Sequence, residues 1–428
     1  MSSTPAIHRE NGTLYIEGVS CSALAKQYGT PLYVYSRRAL TEAYNAYASS
    51  GAKVHVAVKA NSNLGVLSLF ARLGAGFDIV TGGELARVLA AGGKASNVVF
   101  SGVGKSADEM RYALREGVKC FNVESAPELE RLNDVAGEMG LKAPVSLRVN
   151  PDVDPKTHPY ISTGLKGNKF GVAFSDALGT YKRAQEMPHV QVSGIDCHIG
   201  SQITDIAPYL DALDRVLDLV AKLKAEGVPI AHIDVGGGLG IDYGNGDAPP
   251  KTEQFVSTII SRIHEQEPTA EVWFEPGRSL LGNAGVLLTT VEYLKPGEEK
   301  NFCIVDAGMN DLARPSMYDA FHDIVPVVET AERGEDAAST NGVDGGATTW
   351  EIVGPVCESG DWLGHDRALA VQPGDVLAIL SAGAYGFTMA SNYNTRPRPA
   401  ELVVDGETVH VVRERETVQS LFAGEHLI

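Results

Sequence analysis

The side chains of this 428-residue chain best suited to covalent chemistry begin with a lysine in an unusual place. Lys59 closes the alternating, β-branched run of "HVAVKANSNL" and is followed at once by Ala-Asn-Ser-Asn, a helix-start signal. An amine desolvated at a strand end is nucleophilic toward a carbonyl. "DVGGGLG" places Gly236, Gly237 and Gly238 in a row, so that backbone N–H groups can approach an anion closely. "EPGRS" adds Glu275, Pro276, Gly277 and Arg278, the arginine bringing a charged fork. Asp78 in "GAGFDIVT", His198 and Ser201 in "DCHIGSQI", and Cys357 with Glu358 in "VGPVCESGDWL" complete the set. Each also has a plain structural reading. Lys59 could extend its head into water, the glycines could form a flexible turn, and His198 could be a core histidine bonded to backbone. Glu275 could pair with Arg278 alone, and Cys357 could be an inert buried thiol.

The elements that must position these residues repeat a short β-rich run, a turn and an apolar stripe at helical spacing. Eight such runs occur: "KVHVAVKA", "GAGFDIVT", "NVVFSG", "KCFNVES", "PVSLRVNP", "VSGIDCHIG", "AHIDVGGG" and "EVWFEPGRS". Eight is the number that closes a (β/α)8, or TIM, barrel, so the fold class is α/β. The longest helical pattern lies in "TDIAPYLDALDRVLDLVAKLKAEG". It predicts an apolar stripe of Ile206, Leu210, Leu213, Leu217, Val220 and Leu223 after a Thr204 or Asp205 cap. Beyond about residue 285 helices give way to strands with Pro-Gly and Asp-Gly turns, which predicts a mostly β C-terminal domain. The expected division is residues 1–30 as a strand segment packing with the β domain, 31–284 as the barrel, and 285–428 as the β domain. An acidic, turn-rich insertion around Glu332–Gly346 reads as a solvated loop.

On that barrel Lys59, Asp78, His198, Ser201, Gly236 to Gly238 and Glu275 to Arg278 all fall at the carboxyl ends of strands, the face that carries active sites in this architecture. The loops after strands seven and eight are a recurrent phosphate site there. A phosphate site together with a carbonyl-reactive lysine points to pyridoxal 5'-phosphate. Glu275 is then placed to keep the ring nitrogen protonated, so that the ring acts as an electron sink, and His198 offers a flat face to a flat cofactor.

Composition narrows the partners. Lys and Arg total 36 against 54 Asp and Glu, a formal charge of -18, which disfavours nucleic acid and anionic membrane. Five scattered cysteines without a C-x-x-C pair predict reduced thiols in the cytoplasm. The first residues carry no basic-then-apolar leader pattern, and no apolar run approaches the roughly 18 residues that span a bilayer.

Taken together, "VAVKANSN", "GAGFDIVTGGEL", "NPDVDPKTHPYISTGLKGNKFGV", "HIGSQI", "DVGGGLG", "EPGRSL", "ARPSMYDAFH", "GPVCESGDWL" and "GAYGFTMASNYNTRPRP" resemble the diaminopimelate decarboxylases, alanine-racemase-like enzymes that use pyridoxal phosphate. The resemblance runs through nearly the whole chain in order. It implies that Lys59 bonds the cofactor as an aldimine, with Asp78 beside it, His198 on the ring and Glu275 at the ring nitrogen. It places Ser201, Gly238 and the Gly277–Arg278 backbone on the phosphate, with Tyr385 closing over it. It gives Arg278, Arg314 and Tyr318 to the carboxylate of the substrate centre that does not react. Glu358 takes an ammonium and Cys357 donates the proton that replaces carbon dioxide. It further implies a homodimer in which Cys357 and Glu358 reach the partner's pocket, acting on meso-diaminopimelate to give L-lysine in lysine biosynthesis. Related decarboxylases of ornithine, arginine or carboxynorspermidine share the Lys, "GGG" and "EPGR" elements, but typically carry aspartate after the cysteine where this chain has Glu358. Two further alternatives are a barrel glycosidase using Glu124 and a non-catalytic, cofactor-binding regulatory paralogue. A metal hydrolase would want an H-x-H after the first strand, and none occurs.

Overall fold

A computed structural model describes residues 4–153, 169–329 and 347–428. The insertion at 332–346 and the "HPYISTG" segment lie outside the described residues. The chain divides into two compact units, residues 41–241 with 248–280, and residues 1–40 with 242–247 and 281–428.

The first unit is a closed ring of eight parallel strands. In chain order they are β1 (Lys53–Ala57), β2 (Gly76–Ile79), β3 (Val98–Phe100), β4 (Cys120–Val123), β5 (Ala143–Asn150), β6 (Val190–Asp196), β7 (His232–Asp234) and β8 (Glu271–Phe274). Each pairs with the next, and β8 returns to β1 through Trp273 opposite Lys53 and Phe274 opposite Val54, so the ring has no open edge. All eight predicted runs became these strands.

Helices follow the strands as their sequence signals require. Ser106 and Glu109 cap the helix Ala107–Glu116 reciprocally, satisfying two N-terminal N–H groups. The long helix, Ala207–Ala225, starts later than its pattern suggested: Asp205 accepts the N–H of Ala207 at 3.0 Å, while Ile206 occupies the cap position. Its buried stripe runs through Tyr209, Leu213, Val216, Leu217, Val220 and Leu223. Leu210 and Ile206 are only half-buried, because a 3.6-residue period started at 209 carries the inward face past them.

The other unit is built on strands, as expected, but its boundary differs from residue 30. Strand Leu32–Ser36 lies between Gly285–Lys295, antiparallel, and Ala400–Asp405, parallel, in the middle of a nine-stranded sheet. Its five residues "LYVYS" are all buried, as a strand covered on both faces must be. The N-terminal hairpin pairs Ile7–Glu10 with Thr13–Ile16. Leu14 and Ile16 of that hairpin join Leu32, Val34, Val286, Leu288, Leu402 and Val404 in one core. Truncating a Leu or Ile there to alanine costs about 2–5 kcal/mol.

Candidate functional site

The carboxyl ends of the barrel strands gather most of the expected residues. Beyond β1 the chain makes a short 3-10 turn, Val58–Ala60, before Asn63 caps the next helix. That turn carries Lys59, whose Nζ donates to Asp78 Oδ2 at 3.1 Å. Asp78 ends β2 with its side chain fully buried, whereas the Lys59 side chain remains 40% exposed. The lysine head is therefore reachable by a ligand while its counter-charge is fixed. The other oxygen of Asp78, Oδ1, is buried and has no partner among the described residues.

Glycines shape the far side of this end. Gly236 and Gly238 adopt φ of +67° and +100°, which L side chains rarely adopt. A Cβ on Gly237 would lie 2.3 Å from the carbonyl oxygen of Glu275, and one on Gly238 would lie 2.4 Å from that of Gly200. The backbone there is open only because the side chains are missing. Gly237 donates its N–H to His198 Nδ1 at 3.1 Å, so the imidazole proton sits on Nε2. Burial, with Arg148 and Lys59 nearby, pushes His198 well below the ordinary imidazole range and keeps the ring neutral. Arg278 donates to Ser201 Oγ from Nη2 at 2.9 Å and from Nε at 3.3 Å. Pro276 accepts the N–H of Ala57 through its carbonyl at 3.1 Å, tying the segment after β8 to β1.

Glu275 is buried and oriented from β3 and β4. Its Oε1 accepts from Asn122 Nδ2 at 3.1 Å and from Ser101 Oγ at 3.4 Å, and Asn122 is itself held by a short hydrogen bond from Ser146. Burial and the neighbouring Asp234, Asp78 and Asp196 raise its proton affinity well above that of an ordinary carboxylate.

Sequence reasoning missed Asn122, Asp196, Asp234 and Arg148. Their signal was a polar residue inside an apolar strand, as in "FNV", "GIDC", "HIDV" and "LRVN", which reads locally as an interruption of the core. Glu124, the acid of the glycosidase alternative, accepts from Arg148 at 3.2 Å, Gly102 N at 2.9 Å and Gly171 N at 3.1 Å. It acts as a loop anchor.

Arg314, Tyr318, Cys357, Glu358 and Tyr385 belong to the other unit. Arg314 is buried, donates toward His322 Nε2 at 2.7 Å and stacks over Tyr243. Tyr318 ends the helix Arg314–Tyr318, and Tyr385 takes a positive φ of 56°. Cys357 is the one exposed cysteine, and its backbone N–H donates to Asn394 Oδ1 at 2.7 Å; Glu358 is exposed beside it.

These observations fit pyridoxal phosphate: an amine backed by a carboxylate, a neutral imidazole, a glycine cradle with a hydroxyl, and a buried acid of high proton affinity.

The comparisons with known proteins agree. Residues 37–282 match the family described as "Pyridoxal-dependent decarboxylase, pyridoxal binding domain". The chain is 56% identical to the diaminopimelate decarboxylase of Vibrio cholerae over 98% of both chains, and 57% identical to that of Pseudomonas aeruginosa over 97% of both. Among solved structures, diaminopimelate decarboxylase from M. jannaschii in complex with L-lysine superposes with a TM-score of 0.90 at 39% identity, covering 99% of this chain and 98% of that one. The Helicobacter pylori enzyme, also complexed with L-lysine, gives 0.86 at 39% identity, covering 94% and 98%. On this near-complete similarity the chain belongs to the pyridoxal-dependent decarboxylases and, among them, to the diaminopimelate decarboxylases.

Proposed function

We propose that the chain removes carbon dioxide from one centre of meso-2,6-diaminopimelate and releases L-lysine. The observation that carries this reading is the convergence of Lys59, Asp78, His198, the Gly236–Gly238 cradle and Glu275 on one end of one barrel, in a chain over half identical to relatives that carry that name.

Bound pyridoxal 5'-phosphate supplies the sink for the electron pair left at Cα when the carboxylate departs. The residues of the chain do the rest. Lys59 Nζ, still reachable at the mouth of the barrel, is the amine that would hold the cofactor through its carbonyl carbon. Asp78 Oδ2, 3.1 Å from Lys59 Nζ, fixes where that lysine nitrogen sits. His198, neutral and fixed by the Gly237 N–H, would offer its flat face to the cofactor ring. Glu275 holds a proton between its carboxylate and the ring nitrogen, and Asn122 and Ser101 keep its other bonds satisfied. Ser201, with the backbone of Gly236, Gly237, Gly238, Pro276, Gly277 and Arg278, takes the phosphate, assisted by Tyr385.

Arg278, Arg314, Tyr318 and Tyr385 receive the carboxylate of the second centre, and Glu358 its ammonium. Cys357 Sγ delivers the proton that replaces carbon dioxide. The exposed position of Cys357 and Glu358 supports a homodimer in which each protomer completes its partner's site. Reduced cysteines in a biosynthetic enzyme support a cytoplasmic location. Among the described residues no helix is long and apolar enough to cross a membrane.

Purified protein given pyridoxal phosphate and meso-diaminopimelate should release carbon dioxide and L-lysine in equal amounts. Ornithine and L-lysine, which lack the distal carboxylate, should be rejected by at least about 10³-fold, because the arginines would be left unpaired in a dry site. Turnover of ornithine at a comparable rate would move the chain to the basic amino acid decarboxylases.

A further inference from the structure

Behind Glu275 lie two acids that the reaction just described does not use. Asp196 ends β6, Asp234 ends β7, and the two are register partners across the parallel ladder. One carboxylate oxygen from each of Asp196, Asp234 and Glu275 lies within 4.8 Å of the other two, and all three side chains are buried. Asp234 Oδ1 accepts the N–H of Gly236 at 2.9 Å. Asp234 Oδ2 and Asp196 Oδ1 are buried and have no donor among the described residues.

The surrounding strands bring two cations, and each already faces an acid. Lys59 bonds Asp78 and Arg148 bonds Glu124. Arg148 also attracts Asp196 and Asp234, and Lys59 attracts Glu275, but burial and the mutual repulsion of the acids outweigh that attraction. The uncharged donors of the neighbourhood, Ser101 and Asn122, are spent on Glu275 Oε1. Three ionised carboxylates would therefore repel one another, two of them with oxygens bare of any hydrogen bond. A proton on one of the bare oxygens removes one of the repelling charges and turns that oxygen into a donor to its neighbour.

We propose that Asp234 Oδ2 carries this proton and donates it to the Glu275 carboxylate, making Asp234 a positioning residue for Glu275. Oδ1 stays an acceptor for Gly236, so one side chain links the glycine cradle to the acid. Burial and the neighbouring acids raise the proton affinity of both Asp196 and Asp234, as a retained proton requires. The proposal rests on the reading of Glu275 as the partner of the ring nitrogen, and its test separates the two.

The shared proton should appear in the infrared spectrum of the cofactor-loaded protein as a protonated carboxyl band at neutral pH, shifted in deuterium oxide. Asp234→Asn should remove that band and Asp196→Asn should leave it. A band that survives in Asp234→Asn overturns the proposal. So does its absence from the parent protein, which is the result three ionised carboxylates around a bound cation would give. In parallel, Asp234→Asn, which keeps a donor at the Oδ2 position, should hold the pH midpoint of the cofactor absorbance and kcat within about threefold of the parent. Asp234→Ala should shift that midpoint and lower kcat by about tenfold or more. Equal loss in both variants overturns the donor role. A Glu275→Gln protein with unchanged cofactor absorbance and kcat would instead sink the Glu275 reading, whatever the infrared band shows.

Discussion

The two ends of the barrel bury ionisable groups to the same depth and treat them in opposite ways. At the amino end, His55 and His232 are buried beside Trp273. The His232 ring stacks on the indole at 3.5 Å and 4°, and the His55 ring lies 4.8 Å from it. Burial, reinforced by Lys119, pushes both down to about 3, so they are neutral aromatic fillers at any ordinary pH. At the carboxyl end, Lys59, Asp78, Asp196, Asp234 and Glu275 crowd charges together. The buried atoms without a partner among the described residues are carboxylate oxygens there, where at the amino end they are the ring nitrogens His55 Nδ1 and His232 Nε2 of neutral imidazoles. Stability accounts for the first arrangement. The second costs stability, and such a cost is kept where binding or chemistry uses it.

The sharpest way to break the contrast is at Lys59. Lys59→Ala should abolish the cofactor's bound absorbance and lower carbon dioxide release by about 10³-fold or more, since its nucleophile has no substitute. At the next level, Glu275→Gln keeps the Asn122 and Ser101 contacts but not the acid, and should lower kcat by about 10²–10³-fold, measured at saturating substrate. Effects of that size from substitutions at His55 or His232 would erase the distinction between the ends.

Stability against pH tests the same contrast with opposite signs. The folded affinity of each amino-end histidine for a proton is depressed from 6.5 to about 3. Stability is then complete above pH 6.5 and is lost as pH falls toward 3, by about 3 kcal/mol per histidine at pH 4. Asp234 is shifted upward, so its contribution is present below the ordinary carboxylate range and fades as pH rises. In urea titrations of the cofactor-free protein, His232→Phe should therefore raise stability at pH 4 relative to pH 7. Asp234→Asn should raise it at pH 7 relative to pH 4. The smallest effect belongs to neither end: Arg111→Ala breaks only solvent-screened pairs with Asp108 and Glu138 and should leave the urea midpoint unchanged.

The strand pattern was legible because each barrel strand is a short apolar run between turn signals, and Lys59 and Glu275 stood out as charges at the ends of such runs. Three things were hidden for physical reasons. Leu32–Ser36 looks like any buried strand, and its neighbours at 285–295 and 400–405 are chosen by long-range pairing that leaves no local trace. Asn122, Asp196 and Asp234 sit inside apolar strands, where a lone polar residue says nothing about what it faces. In the long helix only the first turn departs from the pattern: Tyr209 is buried in place of Ile206 and Leu210, while Leu213, Leu217, Val220 and Leu223 face inward as the spacing predicts.

Turnover depends on a covalent bond between the cofactor and the turn that follows the first barrel strand, Val58–Ala60. Borohydride reduction of the pyridoxal phosphate-loaded protein, followed by proteolysis and mass spectrometry, should place the pyridoxyl label on the single peptide containing Lys59. A label on another lysine, or on none, would contradict it.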